Sequence, residues 1–376
     1  MKVFSQTLVL LTVFLLTACQ PSDTAPAADF AVLAGAEEGF ETARPGYRLD
    51  FPRDHGAHPA FRIEWWYLTA NLRDAQSTVY GAQWTLFRVA TNPPGAREPL
   101  NAWDNEQIFM AHFALSWPDG HQGWQRYSRG GNHAGIARAG VSAEPFAAWL
   151  DDWQMNSSGP SWLPLEVSAQ QEDHGLELTL SGDQGPVLQG VAGFSSKHSS
   201  GTGSYYYSQP FLQAQGFIEL DGRKIAVEGQ AWLDHEWSSQ FLQPEQEGWD
   251  WFAIHLENGQ KLMVFQLRDR AAANDGKFLH AVLIDQDGTT QTMSPAEIRL
   301  QALETFTVEG RQLPLHWRLE LPGIGREMEI RALHPQQWMS VDFPYWEGVI
   351  EVTGNDDSSR GTGYMELTGY TPPTSR

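Results

Sequence analysis

The sequence is poor in cysteine, in positive charge and in long apolar runs, and each shortage excludes something. One Cys among 376 residues cannot close an internal disulfide. It also leaves no Cys-based zinc site, so any metal would have to take His and carboxylate ligands. Lys and Arg number 25 against 46 Asp and Glu, a formal charge of −21. Nucleic acids and anionic lipid surfaces are held by clustered basic side chains, so neither is a charge-driven partner here. No Gly-x-Ser-x-Gly elbow and no Walker loop occurs, and His235-Glu236 is followed at position 239 by Ser rather than by the second His of a zincin helix. His55 and His58 have ligand-like spacing but sit in a Gly- and Pro-rich stretch that reads as surface, so no metal site is assigned.

What is present begins at the N-terminus. Lys2, an apolar run from Leu8 to Leu16 and the small pair Thr17-Ala18 form a signal peptide over residues 1–18, too short for a spanning helix. The sole Cys, Cys19, follows Leu16-Thr17-Ala18, the pattern of a bacterial lipobox, which would make it a lipidated anchor. The plainer reading is an ordinary secretion signal that contains a Cys. With Gln20 next, the lipoprotein reading favours attachment to the outer membrane on its periplasmic side. Residues 19–45 are rich in Ala, Pro and acidic side chains without an apolar period and read as a tether.

Beyond the tether, apolar residues alternate with period two between Gly, Asn and Asp breaks, which predicts strands almost throughout. Two hairpins stand out. Asn258-Gly259 predicts a two-residue turn that pairs Trp249 with Arg268, Trp251 with Gln266, Phe252 with Phe265 and Asp250 with Leu267. Asp221-Gly222 predicts another, whose return strand carries Ile225, Val227, Ala231 and Leu233 on one side and keeps His235 and Trp237 on that side. The expected fold class is all-β, as barrels or sandwiches, with an N-terminal domain over 46–240, a C-terminal domain over 241–370 and a tail at 371–376.

The densest polar and aromatic stretch is Trp232-Leu233-Asp234-His235-Glu236-Trp237, with Trp249-Asp250-Trp251 close behind. A carboxyl pressed among aromatic rings has its charged form disfavoured and can stay protonated as an acid, while a neutral His can relay a proton. Asp234, His235, Trp237 and Asp250 are therefore candidate catalytic residues; hydrogen bonding to backbone where two domains meet is the competing role. Trp66, Tyr67, His112, Tyr205, Tyr207, Trp249, Trp251, Gln266 and Tyr345 are candidate lining residues for a long apolar ligand, or fillers of barrel ends. Glu64 shares a face with Trp66 and predicts a partly buried carboxylate with Arg62 or Arg88 as its partner.

Four of these stretches in this order, Glu64-Trp65-Trp66-Tyr67, Tyr205 to Pro210, Ala231 to Trp237 and Gly248 to Phe252, resemble the AttH-like proteins of the carotenoid 1,2-hydratase family. The resemblance covers roughly residues 46–370 and implies two consecutive lipocalin-like antiparallel β-barrels. It also implies, without a cofactor, acid-catalysed addition of water to an isoprenoid double bond, with the family's His-x-Trp falling on His235 and Trp237. The family's Tyr-x-Asp has no counterpart as such near Phe265 to Arg268. From the same resemblance come envelope lipoproteins linked to ABC transporters. The leading expectation is a lipid-anchored double barrel that binds a hydrophobic small molecule or lipid, and the alternative is a hydratase.

Overall fold

The computed structural model describes residues 38–96, 105–130, 138–198, 200–269 and 278–371. The expected signal peptide, Cys19 and most of the expected tether lie outside the described residues. Among those residues there is no α-helix, and no helix is long and apolar enough to cross a membrane. The strands form two antiparallel sheets.

The first sheet contains β1 (Ile63–Arg73), β2 (Val79–Ala90), β3 (Gln107–Trp117), β4 (Gly120–Arg129), β5 (Ala139–Ala143), β6 (Phe146–Leu150), β7 (Trp153–Ser157), β8 (Leu165–Gln171) and β9 (His174–Ser181). It is completed by the short β10 (Val187–Leu188) and β11 (Phe194–Ser196) and the long β12 (Gly203–Leu220) and β13 (Arg223–Ser238). Its order is β4-β3-β2-β1-β13-β12-β9-β8-β7-β6-β5, and it curls nearly into a barrel. Side chains close the seam: Arg126 of β4 donates to Gln170 O and Gln171 Oε1, both at 2.9 Å, and lies 4.2 Å over the Trp153 ring. The β12–β13 hairpin has the expected two-residue turn, with Leu220 opposite Arg223 and positive φ at Asp221 and Gly222.

The second sheet contains β14 (Gln246–Leu256), β15 (Lys261–Asp269), β16 (Phe278–Ile284), β17 (Thr290–Met293), β18 (Arg299–Val308), β19 (Arg311–Leu321), β20 (Arg326–Ala332), β21 (Trp338–Met339), β22 (Tyr345–Gly354) and β23 (Gly361–Leu367). Its order β17-β16-β15-β14-β23-β22-β20-β19-β18 makes a half-barrel.

Here the structure corrects the expected β14–β15 register. Trp249 faces Leu267, Asp250 faces Gln266, Trp251 faces Phe265 and Phe252 faces Val264. The loop has three residues, because Leu256 N donates to Gln260 O at 3.0 Å and only Gly259, at φ 87°, is left-handed. A two-residue I′ turn needs two such residues. The longer loop is held from outside, since Glu257 N and Asn258 N donate to the carbonyls of Arg360 and Asp357 at 2.9 and 3.0 Å. A one-residue shift exchanges the faces of a strand. Phe265 and Leu267 therefore join Trp249 and Trp251, while Gln266 joins Asp250.

Three main apolar clusters result. One fills the first barrel with Trp66, Leu68, Trp84, Phe113, Trp153 and Leu233 among others, and a second fills the half-barrel around Phe252, Val264, Trp317 and Trp346. The third lies between the sheets and joins Tyr67, Tyr206 and Trp232 of the first to Trp251, Phe265 and Tyr364 of the second. The strands that meet there, β1, β13, β14, β15 and β23, are covered on both faces, which is why both faces read as apolar.

Candidate active site between the two sheets

The alternation of β13 divides its dense hexapeptide. Asp234 lies opposite Tyr67 and His235 opposite Trp66. Asp234 and Glu236 consequently look toward the second sheet, whereas His235 and Trp237 look into one end of the first barrel. Asp234 and Glu236 border a cavity of about 330 Å³ between the sheets. Of the sequence-derived candidates, Asp234, Tyr67, His112, Trp249, Trp251 and Tyr345 line it. Ile108 and Tyr127 also line it and are 43% and 44% exposed, so the cavity opens on the β3–β4 side.

The cavity is mostly apolar, and its polar groups are concentrated on a few carboxyls. Asp234 accepts from Tyr206 Oη at 2.7 Å, Ser208 Oγ at 2.5 Å and Trp232 Nε1 at 2.7 Å. Burial nevertheless pushes its pKa up to about 7, against those three donors and with help from the charge of Glu236. Glu366 accepts from Trp249 Nε1 at 3.0 Å and keeps part of its surface open to the cavity. Burial, reinforced by Asp234 and Glu236, pushes it up to about 8. Behind it, buried Glu347 accepts from Tyr67 Oη at 2.9 Å, and burial and the charge of Glu366 hold it well above the usual carboxyl range. Glu236 instead pairs with Lys197, Nζ to Oε1 2.7 Å, and that ammonium sits 4.4 Å from the Phe265 ring centroid and about 5 Å from those of Phe241 and Tyr206.

Glu366, Lys197, Glu236 and Glu347 have roles here that the sequence reading did not assign. The parity that places Tyr364 on the inter-sheet face places Glu366 there too, so the signal existed once the strand from Gly363 was recognised. Lys197 offered no signal, because a short loop before β12 brings it in.

The other candidates lie elsewhere. Asp250 is inside the half-barrel, bonded to Gln266, Arg268 and Tyr370. Tyr205, Tyr207, Trp66, His235 and Trp237 surround a second polar network at the end of the first barrel. There Glu64 Oε1 meets His235 Nε2 at 2.9 Å and His58 Nδ1 at 2.6 Å, and Arg88 Nε donates to Glu64 Oε2 at 2.7 Å. His58 stacks on Trp237 at 3.8 Å, and His55 Nδ1 bonds Tyr207 Oη at 2.7 Å. Burial opposes ionisation of Glu64, but Arg88, His58 and His235 outweigh it and hold the carboxyl well below its usual range. His58, Glu64 and His235 are close enough to hold a divalent ion. Their ligand atoms are hydrogen-bonded to one another, however, and Glu64 is already neutralised by Arg88. His55 and His58 thus belong to an internal network rather than to the surface expected from their loop.

These groups set a pH dependence of stability. Burial holds His55, His112 and His121 down to about 3 and His235 and His280 to about 4. The unfolded chain binds their protons near pH 6.5, so each contributes stability above that pH that is lost below it, by about 1.4 kcal/mol per pH unit. Asp234 and Glu366, raised, act oppositely: stability falls as pH rises from the unfolded carboxyl range to about 7 and about 8. The histidines outnumber them below pH 6.5, the falling contributions dominate from there to about pH 8, and Lys261, which burial pulls down to about 8, adds a rising contribution beyond that. The urea midpoint is expected to reach a maximum between about pH 6 and 7 and to fall toward pH 8; a monotonic rise from about pH 5 to 8 would contradict these protonation states.

Two curled antiparallel sheets that close an acid-bearing apolar cavity between them define the class. The chain belongs to the AttH-like family, whose profile matches residues 42–370. A crystal structure at 2.00 Å of a protein provisionally assigned as AttH from Nitrosomonas europaea is 34% identical, with a TM-score of 0.75 over 88% of this chain and 100% of that one. Kievitone hydratase from Nectria haematococca is 15% identical, with a TM-score of 0.62 over 90% of this chain and 98% of its own. CghA with Sch210972 is 14% identical, with a TM-score of 0.52 over 83% and 89%. At these identities the last two share the fold. The curated proteins contain no match to the sequence.

Proposed function

We propose that the inter-sheet cavity adds water to a carbon–carbon double bond of a hydrophobic, isoprenoid-type substrate by acid–base catalysis. The observation that carries this reading is the pair Asp234 and Glu366, two cavity carboxyls in unlike surroundings: Asp234 accepts from three donors that stabilise its anion, whereas Glu366 accepts from Trp249 and keeps part of its surface open to the apolar cavity. Such a pair assigns acid and base. Glu366, which burial keeps protonated and which faces the apolar cavity, is the acid: its proton goes to the less substituted alkene carbon, the π bond breaks, and a tertiary cation forms. The faces of Trp249 and Trp251 stabilise that cation. Water forms the new carbon–oxygen bond and gives its proton to Asp234, whose anion is stabilised by Tyr206, Ser208 and Trp232. Proton return from Asp234 to Glu366 resets the site. Alkene plus water gives tertiary alcohol with no net oxidation.

A hydratase among the structural neighbours supports the reading at the level of fold. The His235–Trp237 pair lies on the opposite face of β13, so its role in this scheme is to fix the strand that carries Asp234. Lipidation at Cys19 would place the cavity at a membrane that supplies such substrates, and loss of radiolabelled palmitate incorporation in Cys19→Ser tests that part. The chemistry is tested by incubating the purified chain with acyclic isoprenoids of graded length, neurosporene and shorter, and weighing the products. A gain of one water is expected. Retention of unchanged ligand would contradict hydration and favour a carrier.

A further inference from the structure

His112 lines the same cavity and has no part in the proton transfer. Strand pairing sets it in a row across the first sheet: Asp234 on β13 faces Tyr67 on β1, Tyr67 faces Thr85 on β2, and Thr85 faces His112 on β3. Directly opposed residues point to the same side, so the whole row looks toward the second sheet. Three strand spacings of about 4.8 Å put His112 roughly 14 Å along the sheet from Asp234.

The ring is held in place. His112 Nδ1 shares a 2.8 Å hydrogen bond with Tyr345 Oη across the inter-sheet gap, and Phe87 meets the ring edge-on at 5.1 Å. Burial keeps the imidazole neutral, with its pKa down at about 3. Its Nε2 is buried and has no hydrogen-bond partner among the described residues. A buried polar atom left unpaired is costly, and a rigid, cavity-lining one is suited to a ligand's polar group.

We infer that His112, fixed by Tyr345, is a positioning residue that hydrogen-bonds a hydroxyl of the substrate, which makes the substrate an acyclic isoprenoid alcohol with its oxygen and its reacting double bond at opposite ends. The assignment of the reacting end rests on the hydratase reading, but the hydroxyl contact does not. Nε2 is a donor in one tautomer and an acceptor in the other, and a hydroxyl satisfies either. A carboxylate or phosphate does not fit, because it would enter an apolar wall near Asp342, whose charge His112 already feels.

Quenching of the cavity tryptophans on titration with farnesol and with the matched hydrocarbon farnesene tests the contact. The unaltered chain is expected to bind farnesol about tenfold more tightly, the scale of one buried hydrogen bond left unmade. His112→Phe should bring the two probes to within about twofold, with farnesene affinity unchanged, and His112→Gln, whose amide still donates and accepts, should retain the preference. Equal affinities in the unaltered chain, a preference that survives His112→Phe, or saturable binding of neither probe would overturn the inference, and the first comparison requires no variant to fold. A His112-dependent preference without hydration would sink the hydratase reading and leave the hydroxyl subsite standing. Hydration of both probes at equal KM would do the reverse.

Discussion

Replacing Glu366 with glutamine is expected to lower the rate of hydration at neutral pH by about 10²- to 10⁴-fold, the range that a positioned general acid contributes. Glutamine keeps the acceptor for Trp249 Nε1 and the volume of the side chain, so isoprenoid binding should change little and the loss should fall on kcat. Asp234→Asn should cost a similar factor for a different reason, because it removes the base that takes the proton of the attacking water. The pH profile separates the two. Glu366 must be protonated and Asp234 ionised, so kcat should trace a narrow bell whose limbs lie near the values of about 8 and about 7 set by burial. Because each carboxyl feels the other's charge, the limbs are properties of the pair. Residual activity in Glu366→Gln should lose the alkaline limb, and in Asp234→Asn the acid limb. A profile flat from about pH 6 to 9 would rule out both assignments.

Glu64→Gln is expected to cost about 3–5 kcal/mol of stability, because it removes the partner of a buried cation rather than a surface charge. Glu64 and Arg88 are 0% and 1% exposed. Arg88 also donates to the carbonyls of His58 and Phe61 at 2.8 and 2.7 Å, so the guanidinium cannot swing out to water without breaking the cover of the barrel end. His58, whose pKa Glu64 and Asp54 raise against its burial, loses one of its two anionic partners by the same change. Against a total of about 5–15 kcal/mol for a domain, such a loss is large and is read directly as a drop in the urea midpoint. Adding Arg88→Met should recover part of it, since a buried pair replaced by apolar side chains is often tolerated. Loss below about 1 kcal/mol would mean that water reaches the pair. The network lies on the far side of β13 from the cavity, so variants that still fold should keep their binding of isoprenoids.

Strands and hairpins were legible in the sequence because period-two alternation and turn residues are local signals, and the AttH-like architecture was implied by the resemblance of four motifs in order. The Asp221-Gly222 turn was read to the residue. The Asn258-Gly259 turn was read one residue short, because backbone contacts from Asp357 and Arg360, about 100 positions away, select the three-residue loop. That slip moved Gln266 into the candidate lining and left out Phe265 and Leu267. Alternation also placed His235 and Trp237 together and Asp234 apart from them. What it could not give was which side faced a cavity, since both sides of β13 are covered. Parity could place Glu366 on the inter-sheet face, but its raised pKa depends on β23 lying beside β1 and β22, which brings Tyr67, Glu347 and Asp234 around it. A pocket between two sheets is set by their docking, which no local pattern encodes.

The central claim, that the cavity keeps carboxylic acids protonated at neutral pH, is open to direct observation in the infrared, where a protonated carboxyl absorbs apart from carboxylates and amides. Difference spectra of the unaltered chain against Glu366→Gln and against Asp234→Asn, taken across pH, isolate each group. The expected result is a carboxylic-acid band for Glu366 that persists at neutral pH and disappears only above about pH 8, and one for Asp234 that is half lost near pH 7. Both groups fully ionised by about pH 5, as for solvated side chains, would contradict it.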